Sequence, residues 1–190
     1  MKKSKILLSL SLVGLNILNA MQEKEIKSNI DIMQTTLAKF VLEKKSIKEE
    51  YVSINNIISP MFDFTLMGKL VLGKKEWNKA TNSEKDKYIV NFTENIKSFY
   101  IDKFDLYTGQ KLLLKEPVKT RKRITVTNLI IGKSDTNEVK YKLYKNKKRG
   151  WVIYDVEISG VSVIKIFRAQ YKDILKKTDI NGLIIQLNKK

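Results

Sequence analysis

Residues 150–171 read GWVIYDVEISGVSVIKIFRAQY, and they change period half-way. From Trp151 to Ile158 the residue types alternate: Val152, Tyr154, Val156 and Ile158 fall on one side, Asp155 and Glu157 on the other. That is the pattern of a strand with one wet face. Gly160 ends it. From Val161 the apolar residues recur at helical steps, as Val163, Ile164, Phe167, Tyr171, Ile174 and Leu175, so an amphipathic helix follows the strand directly. This helix carries Arg168, one of four arginines in a chain with 33 lysines. A residue so scarce, set beside an apolar stripe, calls for a specific contact.

Working outward, strands are expected at 110–118, 121–132, 138–146 and 151–158. Val139, Tyr141 and Leu143 alternate with Lys140, Lys142 and Tyr144, and residues 132–137 (GKSDTN) form a turn cluster. No helix separates these strands, so they pair antiparallel in a meander. Before them the period is helical. Ile26, Ile30, Met33, Leu37 and Val41 make one stripe, and a second helix is expected from Ile47 through Ile58. Ser59-Pro60 reads as an N-cap with proline at the first helical position. It opens a short helix with Phe62, Leu66, Met67 and Leu70 that ends near Gly73. Thr81 and Glu84 have capping-box spacing and start the longest helix, which bears Tyr88, Phe92, Ile96, Phe99, Tyr100 and Phe104. The plan is α+β, a curved antiparallel sheet with helices over one face.

The N-terminus reads as an export signal. Lys2, Lys3 and Lys5 precede an apolar run from Ile6 to Leu18, and Leu18-Asn19-Ala20 ends in a small residue. The run is short of the roughly 20 apolar residues of a membrane span. Residues 1–20 are therefore assigned as a cleaved signal and 21–190 as a single domain, with no Pro/Gly/Ser linker and no internal repeat. A domain of this size buries roughly 70% of its unfolded surface. There is no cysteine, so packing alone must hold it. The leader takes three lysines and no acid with it, so the net charge falls from +17 to +14. This balance reads either as attraction to phosphates and anionic membrane surfaces or as lysine spread over wet faces. The excess of lysine over arginine favours the second. Lys147-Lys148-Arg149, at an expected hairpin turn, fits it. Export and the absence of a recognition motif argue against nucleic acid.

The chain has no histidine and no cysteine, which removes the imidazole base, the thiol nucleophile and most zinc sites. The acids nearest apolar segments are Asp63, Asp102, Asp105, Asp155 and Glu157, without a pair at catalytic spacing. Asp63 reads as a helix cap or a charge partner. The eight glycines are scattered, so no phosphate loop is present. No catalytic residue, metal or cofactor is assigned. Binding fits better: aromatic and large apolar side chains are placed to line a cavity between sheet and helices.

Several ordered blocks resemble the MlaC-type family, the toluene-tolerance auxiliary components of ABC transporters. One block is Trp151, Tyr154, Asp155, Val156, Gly160, Val161, Ser162, Phe167, Arg168, Gln170 and Tyr171. A second is Pro60, Phe62, Asp63, Phe64 and Met67, with Val71-Leu72-Gly73 and Trp77. A third is the Phe92 to Tyr100 helix followed by Tyr107. The resemblance spans about residues 26–187. It implies an NTF2-like fold enclosing an apolar cavity and a periplasmic phospholipid carrier that maintains outer-membrane lipid asymmetry. The implied partners are phospholipid as cargo, an outer-membrane lipoprotein complex, and an inner-membrane ABC transporter complex with its periplasmic substrate-binding subunit. The carrier is expected to be a monomer. Two other classes stay open: an enzyme of the same fold acting on a small hydrophobic substrate, and an adaptor that holds no lipid.

For a carrier, the acyl-chain pocket is expected from Phe64, Met67, Leu72, Phe92, Ile96, Phe99, Tyr100, Val126, Tyr141, Trp151, Val163 and Phe167. Tyr107 and Arg168 are expected at its mouth. Arg168 has two readings: its planar fork grips two phosphate oxygens, or it pairs with Asp155 or Asp63 and locks the last helix to the sheet. The second is preferred.

The signal generates a direct prediction. N-terminal sequencing of the exported protein should begin at Met21; a different start rejects the site, and retention in the inner membrane rejects a released carrier.

Overall fold

A computed structural model describes residues 22–43, 55–104 and 107–188. The expected signal at 1–20, Asp105 and most of the expected helix from Ile47 lie outside them; residues 55–58 are helical. A 3-10 turn at Glu23–Glu25 leads into α1 (Ile26–Leu42), followed by α2 (Phe64–Leu72), α3 (Lys74–Lys79) and α4 (Asn82–Phe104). Six strands come next: β1 (Lys111–Leu114), β2 (Val118–Thr120), β3 (Arg123–Ile131), β4 (Thr136–Asn146), β5 (Gly150–Ile158) and β6 (Val161–Ser162). Then come α5 (Val163–Leu175) and α6 (Ile180–Leu187).

The sheet is open and antiparallel in the order β1-β3-β4-β5-β6, with β2 also on β3. The expected strand at 110–118 is thus two short ones on the same edge of β3. Between them stands Pro117, which has no N–H to give a ladder. On β4 the expected alternation holds. Val139, Tyr141 and Leu143 are buried against the helices. Lys140 and Lys142 pair on the other face with Glu138, Glu157 and Asp155 at 2.6–3.6 Å.

On β5 the expected alternation fails, for a physical reason. Leu143 pairs with Ile153, whereas Lys142 pairs with Asp155, so Tyr154 is an extra, bulged residue. Ile153 and Val156 therefore share a face, and Trp151 and Ile153 enter the core; Val152 is fully buried as well, whereas Tyr154 is only half-buried. Asp155 is buried rather than wet. Both its oxygens accept from the Ser162 hydroxyl at 2.9–3.0 Å, and one also accepts from the Ile164 amide at 3.3 Å. A carboxylate here satisfies an orphan N–H at the positive end of α5. Ser162 adds its own cap to the Lys165 amide. The turn into β6 needs left-handed backbone at Gly160, with φ of 83°.

Helix α2 starts later than Ser59-Pro60 predicts. Residues 61–63 are drawn alongside β5 instead: Asp63 N donates to Ile153 O at 2.9 Å and Ile153 N to Met61 O at 2.8 Å. Asp63 then caps α2 by accepting from the Leu66 amide at 2.9 Å. The Thr81–Glu84 capping box forms as expected. Gly68 lets α2 approach α4: an added Cβ would lie 2.6 Å from Ile89 Cδ1 and 3.0 Å from Phe92 Cδ1. Helix α6, which the sequence reading did not separate, is capped by Asp179 and buries Leu183, Ile184 and Leu187.

The strand-to-helix junction is testable. Asp155→Ala should cost about 2–4 kcal/mol, since a charged acceptor of several hydrogen bonds is lost and a buried hydroxyl and amide are left unpaired. Urea unfolding measures this; a loss below about 0.5 kcal/mol, the usual range of a neutral surface change, would show that the junction does not depend on it.

Candidate functional site

Between α1 and the inner face of the sheet lies a cavity of about 320 Å³. Its roof is α1, through Met33, Gln34 and Leu37; its floor is β3, β4 and β5, through Asn128, Ile130, Val139, Tyr141, Val156 and Ile158. Ile58 and Phe62 close one side, and Tyr100 and Lys103 of α4 another. Exposed Lys103 and Asn137 mark its rim, with half-buried Tyr107 and Gln110 beside them. These residues share a wall because α1 repeats apolar residues every three or four positions and β3 and β4 every two. The bulge at Tyr154 supplies the rest, since without it Val156 and Ile158 would face away.

The wall is mostly apolar with a few buried polar groups. The Gln34 amide donates to the Tyr141 hydroxyl at 2.9 Å. Burial pushes the Tyr141 phenol up to about 12, offset in part by that bond. Burial also holds the Tyr100 phenol well above its usual range, with Tyr141 and Asp155 adding to it. Tyr107 donates to the Gln110 carbonyl at 2.8 Å. Such a site can hold a hydrocarbon ligand. Three of the acids that the sequence placed near apolar segments have structural partners: Asp63 caps α2 and accepts from Tyr144, Asp155 holds the start of α5, and Glu157 pairs with lysines; Asp102 is exposed near the end of α4.

Of the expected pocket residues, Tyr100 and Tyr141 stand on this wall, as does Tyr107 of the expected mouth. Phe92, Phe99 and Phe167 do not. They pack edge-to-face at 5.4–6.2 Å in a solid core between α4 and α5. Ile96, Met67, Leu72, Val126 and Val163 are core residues off the cavity wall, and Phe64 stacks on Phe62 at 5.5 Å. Rings that follow a helical stripe reach whichever neighbour packs on it, and here that neighbour is α5. The α1 wall and the β3 and β5 positions around Asn128 and Val156 are not among the expected pocket residues. The stripe of α1 was visible in the sequence; its placement over the sheet was not.

Arg168 meets neither expectation. Its Nε and Nη2 donate to the Leu70 carbonyl, Nε at 2.9 Å, so it satisfies a last-turn carbonyl of α2. Among the described residues it neither lines the cavity nor pairs with an acid. The arginine that ties helices to sheet is Arg149, whose Nη2 donates to the carbonyls of Pro60 and Phe62 at 2.9 Å. The hairpin Lys147-Lys148-Arg149 is therefore not wholly solvated.

The cations are also less evenly spread than their composition suggested. Lys119, Arg121, Lys122, Arg123, Lys145 and Lys147 surround a cleft at the far end of the strands, where Trp151, Tyr144 and Tyr154 form the aromatic part. Trp151 thus belongs to this cleft rather than to the cavity. Arg123 lies over the Tyr154 ring at 5.2 Å.

The model of the MlaC protein family matches residues 27–189. The chain belongs to the MlaC family. Toluene tolerance protein ttg2D of Pseudomonas putida is 26% identical over 158 residues, covering 77% of this chain and 73% of that protein. A phospholipid-binding protein from Ralstonia solanacearum, solved in complex with a phospholipid, superposes with a TM-score of 0.75 at 19% identity. The match covers 90% of this chain and 96% of that one. At that identity the likeness establishes the fold, an open, curled antiparallel sheet with helices packed against it. Among the described residues no helix is long and apolar enough to cross a membrane.

Arg168→Ala should lower the melting temperature by about 2–4 °C, the equivalent of about 1 kcal/mol in a chain of this length, and leave ligand binding unchanged. A stable variant with weakened lipid binding would return Arg168 to the binding site.

Proposed function

We propose that this protein is a periplasmic phospholipid carrier that sheathes acyl chains in the cavity beneath α1. The observation that carries this reading is the cavity itself, with mostly apolar walls closed by α1, Phe62 and the sheet and, among the described residues, one lysine, at the rim. Membership of the MlaC family and the phospholipid held by the Ralstonia relative support it. The physical need is large. A phospholipid has about 30 tail methylenes, and at about 0.8 kcal/mol each roughly 20 kcal/mol opposes passage through water. A protein that covers most of that surface removes most of the barrier without doing chemistry. In this reading the leader sends the chain to the periplasm. There it moves lipid between an outer-membrane lipoprotein complex and an inner-membrane ABC transporter complex with its periplasmic substrate-binding subunit. It acts as a monomer without a cofactor, and its work is binding rather than catalysis.

Lipid extraction and mass spectrometry of the protein purified from cells should find phospholipid. Leu37→Trp, which fills the space under α1, should cut lipid per protein severalfold while the melting curve stays near that of the parent. Val126→Asp, in the core off the cavity, should instead unfold the chain, because a buried carboxylate has no partner there. An empty protein, or undiminished lipid in Leu37→Trp, contradicts the carrier; turnover of a small substrate by an empty protein would establish the enzyme instead.

A further inference from the structure

Among the described residues, three buried side-chain atoms have no hydrogen-bond partner: the Tyr100 hydroxyl, the Asn128 amide oxygen and the Tyr171 hydroxyl. Two of the three belong to residues that line the cavity. Asn128 is 1% exposed and Tyr100 7%, so bulk water does not serve them. A buried polar group without a partner is a standing cost, and two on one small wall form a site waiting for a polar atom.

The rest of the wall narrows what that atom is. Asn128 pairs across the sheet with Val139, beside the Val126–Tyr141 pair, so it stands diagonal to Tyr141 on the inner face. The hydroxyl of Tyr141 is already engaged by Gln34. Tyr100 has an O–H to donate. The amide of Asn128 can turn either its oxygen or its N–H₂ toward the space, since the two ends have the same shape. The pair can therefore offer two donors. A phosphate would need a cation, and among the described residues the wall's one cation is Lys103, exposed at the rim. Lys103 follows Tyr100 by three positions on α4, about one helical turn. Neutral donors inside and a cation one turn outward match a glycerophospholipid, whose ester carbonyls lie one glycerol backbone from its phosphate.

We infer that Tyr100 and Asn128 form an ester-recognition station, donating to the acyl ester carbonyls of a glycerolipid whose phosphate lies near Lys103. This rests on the carrier reading and adds a chemical class: ester-linked lipids, in preference to ether-linked ones of the same length and headgroup.

The test is competition between dipalmitoyl phosphatidylglycerol and its dihexadecyl ether analogue for delipidated protein, read by native mass spectrometry. The parent should favour the ester lipid by about five- to tenfold, the usual net worth of one hydrogen bond or slightly more. Tyr100→Phe and Asn128→Leu should each bring the ratio toward one. Tyr100→Phe should melt at or above the parent, because the oxygen it removes had no partner. Tyr171→Phe supplies the control: its hydroxyl is equally orphaned but lies among Tyr88, Phe92 and Phe167, so it should keep the parental ratio. Equal binding of both lipids by the parent overturns the station and leaves the carrier standing, and a preference that survives in Tyr100→Phe and Asn128→Leu overturns it too. Binding of neither lipid overturns the station together with the carrier.

Discussion

The structure depends on three residues, Met61 to Asp63, laid along β5. Their two backbone hydrogen bonds to Ile153 fasten the helical layer to the sheet. Everything near them is consequent. The Phe62 ring closes one side of the cavity, its carbonyl accepts from Arg149, and Asp63 turns the chain into α2 while accepting from Tyr144. A side chain in the cavity and a carboxylate beside the basic cleft are thus adjacent in sequence. One short strap fixes the geometry of both ends of the molecule.

The second constraint is the bulge at Tyr154. A regular β5 could not bury Ile153 and Val156 on the same face, because their spacing is odd. The extra residue makes both point inward and places Asp155 against the start of α5. A single irregularity therefore shapes the cavity floor and anchors the last helices. The cost of burying Asp155 is offset by the Ser162 hydroxyl, the Ile164 amide and Lys142 at 3.5 Å.

Much of this was legible in the sequence, for reasons that also explain the failures. Thr81 and Glu84 announced α4 because a capping box is local chemistry, and β4 was readable because its outer face is wet and its inner face dry. The bulge was not legible: Asp155 looks like a solvent-facing acid until the N-terminus of α5 is seen beside it. Ser59-Pro60 misled because the strap competes with helix formation, and only β5 reveals the strap. Tyr100, Tyr107 and Tyr141, which the sequence assigns to a pocket and its mouth, do line the cavity. Most other aromatic residues proved to be core, because a periodic stripe shows that a side chain is buried but not whether a partner or a void lies beyond it. Arg149 rather than Arg168 ties helices to sheet, and neither contact was legible, since each bonds to backbone carbonyls, which carry no sequence signature.

The most direct measurement is to map where an acyl chain lies. A phospholipid with a photoreactive diazirine in its tail, bound to the protein, irradiated and digested, reports its neighbours by mass spectrometry. The account predicts adducts on α1 around Met33 and Leu37 and on β4 and β5 around Val139 and Val156. Adducts confined to the cleft around Trp151, or absent from α1, would contradict it.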